Sequence, residues 1–348
     1  MHIVQFCPTP YPIPPQGYGG TERVVYWLAR AQHLAGHRVT LIAHPASTLH
    51  DEFPGVVFIP WTGEQAFESL LPTDADVVHL HRLPHGFEGL AKPFLVTEHG
   101  NRPDDVKLQA NTVFVSDSHA QVHGRSAVVR NGVPIEDYRY SETKQRMMLS
   151  LVRMEWPHKN ARTAIDLAVD LNLPLSMSGK YAPWVRPKTW GAWCRQPVAV
   201  SRLVTRLGYI GGQRKLDLLA EAALCFHAVN WHEPGAIAVL ESLASGTPVL
   251  GTPNGSLPEF VRHGESGMIV ATYDEALEAT RRLSSLDAAE SARWARRCRA
   301  QAVPIESTAR GYLAMYERVL AGESLTRPGE ARPKVPRPVV KVEKPWRA

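Results

Sequence analysis

The sequence predicts an α/β protein made of two doubly wound parallel-sheet units in tandem. Three observations carry this prediction. Short apolar runs alternate with amphipathic stretches, the pattern of strands joined by crossover helices. The alternation occurs twice, broken around Asp137–Arg146 by a polar stretch without apolar period. The chain has 348 residues, 44% hydrophobic and 21% charged, which is enough for two buried cores and too apolar for wholesale disorder.

In the first series, HIVQFC (2–7) reads as a buried strand. Thr21 to Ala35 follows as a helix, with Val24, Leu28, Ala31 and Ala35 on one face and Gly36 as its stop. RVTLIAH (38–44), VVFI (56–59), DVVHLH (76–81), PFLVTEH (93–99), NTVFVSD (111–117) and AVVRNG (127–132) are further strands. The second series has strands at MMLSLV (147–152), PLSMSG (174–179), LGYIG (207–211), ALCFHA (223–228), PVLGT (248–252) and GMIV (267–270). Its helices are expected over Asn160–Leu171, on to Leu219, and over 236–245. A last amphipathic helix, Ser307–Ala321, carries Tyr312, Met315, Tyr316 and Val319 on one side.

The net charge of +5 resides in the tail: from Leu325 onward there are seven bases and two acids, and the rest of the chain is neutral. That excludes a nucleic-acid-binding body. The tail holds five prolines and is expected to be a solvated segment, extended or disordered, with peripheral contact with an anionic membrane as the second reading. No apolar run is long enough for a membrane-spanning helix. The N-terminus reads as a first strand and not as a signal peptide. The four cysteines (Cys7, Cys194, Cys225, Cys298) are widely spaced, so a cytoplasmic setting without disulfides is expected.

In a doubly wound protein, ligands sit at the carboxyl ends of strands, so three loops matter most. The first, PTPYPIPPQGYGGTER (8–23), opens a helix; Gly17, Gly19 and Gly20 allow close backbone approach and Thr21 is the expected cap. It matches neither a dinucleotide fingerprint nor a Walker loop. The second, starting at Trp231, places Glu233 in a loop before Pro234 and Glu241 eight residues on, in a helix. The N–H groups of Gly235, Ala236 and Ile237, at the start of that helix, are expected to meet a phosphate. Glu241 lies in an apolar run, so it needs a ligand or an ion-pair partner. The third, LVRMEWPHKN (151–160), offers Arg153 and Lys159 to a diphosphate, although taken alone they read as two solvated bases. His79, His81 and His85 cluster after a strand without a completing carboxylate or cysteine, so no metal is expected. Asn131 reads as a turn residue. His227 and His232 flank the strand before Glu233 and are given no chemistry.

With these residues in view, the chain resembles the retaining glycosyltransferases of family 4, which have the GT-B fold. YGGTERVV, GHRVTLIA, DVVHLH, VTEHG, NGV, the Arg153/Lys159 pair, LGYIGGQRKLDLLAEA, the Glu233/Glu241 pair, SGTPVLGT, GSLPEFV and GESGMIV carry the resemblance in order, from about residue 1 to 321. It implies two Rossmann-like domains facing across a cleft: an acceptor-side domain (1–143), a donor domain (144–305), a helix (306–322) crossing back to the first, and a basic tail (323–348). It further implies that Arg153 and Lys159 hold the donor diphosphate. Glu241 would bind the ribose, Glu233 the transferred sugar, and Tyr209 and Ile210 would border the base. Gly19 and Gly20 would approach the phosphates, and His99 the reacting centre. Glu233, His99, Arg153 and Lys159 are thereby the catalytic candidates.

The donor implied is a nucleotide-diphosphate sugar, and the acceptor a saccharide, lipid-linked or small molecule. No cofactor and no nucleic-acid partner are expected. Gly235-Ala236 departs from the family's Phe-Gly, and Val152 replaces its Gly before the Arg. The Trp-rich insert 180–197 reads as a packed loop, or as a surface for stacking on sugar or lipid. A nucleotide-sugar 2-epimerase of the same fold and a catalytically silent sugar-nucleotide-binding protein are the rival readings. The first lacks a clear acid/base set for proton transfer at C2, and the second is opposed by the intact Arg153, Lys159, Glu233 and Glu241.

Overall fold

The computed structural model describes residues 1–180, 202–330 and 338–345. The chain divides into two compact units, Met1–Pro134 with Val303–Arg337, and Ile135–Ala302 with Pro338–Ala348. The Trp-rich insert, apart from Lys180, lies outside the described residues.

The first unit contains β1 (His2–Cys7), α1 (Gly20–Leu34), β2 (Arg38–Ala43), α2 (Leu49–Glu52), β3 (Val57–Pro60), β4 (Val77–Leu80), β5 (Phe94–Glu98), β6 (Thr112–Phe114) and α3 (Asp117–Val122). Its six strands are parallel in the order β3-β2-β1-β4-β5-β6. The central strands are buried along their whole length, which is why they read in the sequence as continuous apolar runs. AVVRNG is not a strand: only Val128 bridges to Phe114, and Gly132 turns the chain towards residues 303–305. There Val133 exchanges backbone hydrogen bonds with Val303 and Ile305. A Cβ on Gly132 would stand 2.6 Å from the Pro304 carbonyl oxygen, so only glycine admits this approach.

The second unit contains β7 (Gln145–Ser150), α4 (Ala161–Asp170), β8 (Leu175–Met177), β9 (Val204–Arg206), α5 (Gly212–Glu221), β10 (Ala222–His227), α6 (Ile237–Ala244), β11 (Val249–Gly251), α7 (Leu257–Phe260), β12 (Gly267–Ile269), α8 (Tyr273–Leu283) and α9 (Ala288–Gln301). Its sheet, β12-β11-β10-β7-β8-β9, is the same winding met from the other side. LGYIG falls in the loop after β9 instead of forming the strand itself. Helices α8 and α9 have no counterpart in the sequence reading. Each is announced by a capping box, Thr272 with Glu275 and Asp287 with Glu290.

The stretch around Asp137–Arg146 is not a loose linker. Tyr138 is buried within the second unit, and Lys144 donates to Ala220, Ser245 and Thr247. The last helix, α10 (Ile305–Leu320), returns to the first unit and packs on α1 and β5, with Tyr312 and Tyr316 fully buried. The tail corrects the expectation of a solvated, disordered segment in part. Residues 338–345 lie against the second unit, because Val340 and Val342 are apolar and Val342 is completely enclosed in its core. Among the described residues, no helix is long and apolar enough to cross a membrane.

Candidate active site

In both units the strand order reverses direction beside the first strand, between β1 and β4 and between β7 and β10. Loops leaving adjacent strands at such a point diverge to opposite faces and open a crevice. In the second unit these loops carry Arg153 and Lys159 after β7, and Trp231 and Glu233 after β10. The backbone joins them, with Asn230 N donating to the His158 carbonyl oxygen at 2.8 Å.

Across this join Lys159 Nζ lies 2.7 Å from Glu233 Oε2. The same oxygen accepts from Trp231 Nε1 at 2.7 Å and stands 3.5 Å from His227 Nε2. The Lys159 ammonium also sits 4.4 Å from the Trp231 ring centroid. Burial by itself would raise the Glu233 carboxyl, but the Lys159 charge, with the His227 ring beside it, outweighs burial and holds the group well below the usual carboxylate range. Glu233 is thus a fixed anion.

Arg153 is half-buried, donates through Nε to Glu155 Oε1 at 2.8 Å and stacks on Trp156. Glu155 Oε1 also accepts the Tyr209 hydroxyl at 2.6 Å. The two predicted donor residues Arg153 and Tyr209 therefore meet through a carboxylate that the sequence reading did not single out. Ile210 is half-buried next to Tyr209. Glu241 is buried and ion-paired: Lys215 Nζ is 2.5 Å and the Tyr138 hydroxyl 2.8 Å from its Oε1. Of the two roles expected for it, the ion pair is present.

Helix α6 starts at Ile237, with Ala236 as its cap in the left-handed region, φ 40°. A non-glycine residue there is strained, and Ala236 is buried. Behind it, Gly255 has φ +63°, and a Cβ would come within 2.3 Å of the Glu233 carbonyl oxygen, so glycine is obligatory. Ser256 N then donates to that oxygen at 2.8 Å. This is the physical content of the GSLPEFV segment: it is the floor under Glu233.

In the first unit, Gly19 rather than Thr21 is the residue before α1, and Thr21 lies inside the helix without capping it. Gly19 has φ +148°, and a Cβ on it would meet Pro15 at 2.7 Å; at Gly20 a Cβ would meet nothing within 4 Å. Only Gly19 is demanded by the local geometry.

His99, at the end of β5, belongs to a buried polar network. Gln5 Nε2 donates to Gln32 Oε1 (2.7 Å) and to the Tyr316 hydroxyl (3.2 Å), so Gln5 Oε1 accepts from His81 Nε2 (2.6 Å). His81 Nδ1 is then an acceptor, and His99 Nε2–H donates to it at 2.9 Å. Tyr316 accepts from Gln5 and Gln32 and donates to His79 Nδ1 (2.8 Å), and His79 Nε2 donates to Thr97 (2.7 Å). Burial and then the Arg102 charge push His99 down to about 4, so it is neutral with its lone pair on Nδ1. His79 and His81 are spent on this network. Among the described residues no cluster of three or more His, Cys, Asp or Glu could hold a metal ion.

The sequence reading missed Trp231, Lys215, Tyr138, Glu155 and Gly255. Lys215, Tyr138 and Gly255 have partners remote in sequence, while Glu155 and Trp231 each join a neighbour two residues away (Arg153 and Glu233) to a distant group (Tyr209 and Lys159); the one local signal was the glycine of GSLPEFV.

The glycosyl transferases group 1 family matches residues 199–301. Among solved structures, the chain is similar to AviGT4, a glycosyltransferase involved in avilamycin A biosynthesis. The identity is 28%, the match covers 92% of this chain and 98% of that one, and the TM-score is 0.73. It also resembles the sucrose-phosphate synthase of Thermosynechococcus elongatus (15% identity, 92% and 100% covered, TM-score 0.67). A third is Anabaena HepE, solved in complex with UDP and glucose (15% identity, 91% and 99% covered, TM-score 0.66). No curated protein sequence matches the chain. The two sheets and these likenesses establish the fold as GT-B, and the match over residues 199–301 supports a glycosyltransferase.

Proposed function

We propose that the protein is a retaining glycosyltransferase of family 4 that moves a hexose-type unit from a nucleoside-diphosphate sugar to a hydroxyl of a saccharide, lipid-linked or small-molecule acceptor. The observation that carries this reading is the Lys159–Glu233 pair, standing where the loops after β7 and β10 meet at the reversal of strand order. Anabaena HepE, whose fold this chain shares, is a protein that holds UDP and glucose.

In this reading Arg153 and Lys159 neutralise the donor diphosphate, and the N–H groups of Gly235, Ala236 and Ile237 face the same charge. As the bond between the sugar C1 and the phosphate oxygen breaks, the nucleoside diphosphate leaves with the electron pair. Fixed cations stabilise the charge that develops, with no divalent metal and no cofactor required. The acceptor oxygen bonds C1 from the face the leaving group vacates, and its proton passes to a phosphate oxygen. Glu233, held as an anion, binds the sugar hydroxyls and lies near the positive charge building on the ring. Glu241 binds the ribose, and Tyr209 and Ile210 border the base. For Gly19, Gly20 and His99 the roles implied by the resemblance stand as part of the same proposal. Peripheral attachment to an anionic membrane from the cytoplasmic side would draw on Arg327, Lys341 and bases outside the described residues, because Lys344 is committed to Asp170.

The test is a thermal-shift panel of uridine, guanosine and adenosine diphosphates and their sugars, followed by turnover with candidate acceptors. One nucleotide should raise the melting temperature. Its release from the sugar should require acceptor, and the product should keep the anomeric configuration of the donor. Inversion at C1, or a panel without any stabilising nucleotide, would refute the reading.

A further inference from the structure

Residues 338–345 run extended along the second unit, with Val340 and Val342 turned inward and Lys341 and Glu343 outward. Three asparagines from three different loops read their backbone. Asn254, after β11, donates to the Val340 carbonyl (2.7 Å) and accepts from Val340 N (2.9 Å), the exchange a neighbouring strand would make. Asn230, after β10, accepts from Val342 N at 3.2 Å. Asn160, after β7, donates to the Val342 carbonyl at 2.8 Å, as does Thr163 at 2.9 Å. Lys344 closes the segment on both carboxylate oxygens of Asp170, at 2.6 and 2.7 Å.

The asparagines are themselves anchored, Asn160 on the Ala228 carbonyl (2.9 Å) and Asn254 on the Val229 carbonyl (2.7 Å). The site is thus built for an extended backbone with a small apolar side chain at every second residue, as in strand-addition recognition, with amides in place of a sheet edge.

What this segment touches matters more than that it docks. Asn160 follows Lys159 directly and holds φ 57°, a strained value. Asn230 precedes Trp231 and Glu233 and also bonds His158. We propose that residues 338–345 are a clip in cis that fixes the loops after β7 and β10 against each other and so sets the Lys159–Glu233 pair. The link to donor binding rests on the reading given under Proposed function; the clip itself does not. Without the segment, the buried amide of Asn160 and the carbonyl of Asn230 lose partners, and a side-chain-sized space opens at Val342.

The experiment compares the full chain with its Val342→Asp variant, and with the milder Val342→Ser in case the first fails to fold. Amide hydrogen exchange is read at Val340, Val342 and residues 157–160 and 228–233. Wild type should protect Val340 and Val342 at least tenfold over an unstructured peptide. The variants should lose that protection and speed exchange in both loops about tenfold. Adding a synthetic peptide of residues 336–348 to a variant should restore the loops. Nucleoside-diphosphate affinity should fall about tenfold in the variants and recover with the peptide. Unprotected Val340 and Val342 in wild type would overturn the docking. Loops unchanged in a variant that has released its tail would overturn the clip. Should wild type bind no nucleotide, the donor reading fails, and loop exchange still decides the clip.

Discussion

Lys159 and Glu233, 74 residues apart in sequence, form an ion pair at 2.7 Å with side chains only 11% and 9% exposed. A pair this enclosed contributes little net stability, but removing one member strands the other charge in a poorly solvated place. Lys159→Ala should therefore lower global stability by about 3–5 kcal/mol and weaken nucleoside-diphosphate binding at least tenfold. Glu233→Gln keeps an acceptor for Trp231, so it should lower turnover much more than nucleotide affinity. Urea unfolding and calorimetric titration of each variant check this. A Lys159→Ala protein as stable and as tight-binding as wild type would show that the pair is incidental.

The histidines of the first unit predict an acid-sensitive fold. His79, His81 and His99 are all held below the ordinary histidine value, first by burial and then by neighbouring charge, His99 to about 4. The native chain then stays unprotonated while the unfolded chain takes up protons. Stability is complete above about pH 6.5 and is lost as pH falls from there towards about 4. His99 should contribute up to about 1.4 kcal/mol per pH unit within that window, and His79 and His81 act in the same direction. Urea midpoints at pH 7, 6 and 5 measure the slope. His79→Gln should flatten it by one histidine's share, whereas an unchanged slope would mean that this ring titrates freely in the native state.

Backbone geometry beside Glu233 gives a pair of opposite predictions. Gly255→Ala forces a Cβ to within 2.3 Å of the Glu233 carbonyl oxygen at φ +63°. It should cost at least about 2 kcal/mol and displace Glu233. Ala236→Gly relieves a left-handed alanine at φ 40° and should gain about 0.5 kcal/mol, the relief being partly offset by the freer unfolded chain. Thermal melts of both variants test the signs.

The two winding series were legible because parallel strands buried on both faces write themselves as apolar runs. Glu233, Lys159 and Arg153 drew attention as residues of loops after such strands, but taken alone the two bases read as solvated, and Lys159 is instead enclosed against Glu233. What escaped was non-local. Trp231 is an ordinary loop tryptophan until Lys159 comes to lie over its ring. His81 is one histidine of a cluster until Gln5 fixes its tautomer. Two helices, α8 and α9, escaped although their capping boxes were written locally at Thr272–Glu275 and Asp287–Glu290. The tail was read from its prolines and bases, which argue for solvent, while the alternation at Val340 and Val342 argued for docking.

Glu241 shows how a residue can be placed correctly before its partners are known. An acid in the apolar stretch of α6 needs compensation, and Lys215 from α5, 2.5 Å away, supplies it together with Tyr138. Lys215→Met should therefore destabilise by about 3–5 kcal/mol, because the carboxylate stays buried at 3% side-chain exposure without its cation. Adding Glu241→Leu should recover most of that loss, since removing both charges removes the desolvation cost with them. Tyr138→Phe removes a single hydrogen bond to a charged group and should cost about 1.5–3 kcal/mol. If Glu241 also binds the ribose, the stable double variant should still bind nucleotide at least tenfold more weakly than wild type. Wild-type affinity in that variant would reduce Glu241 to a structural acid.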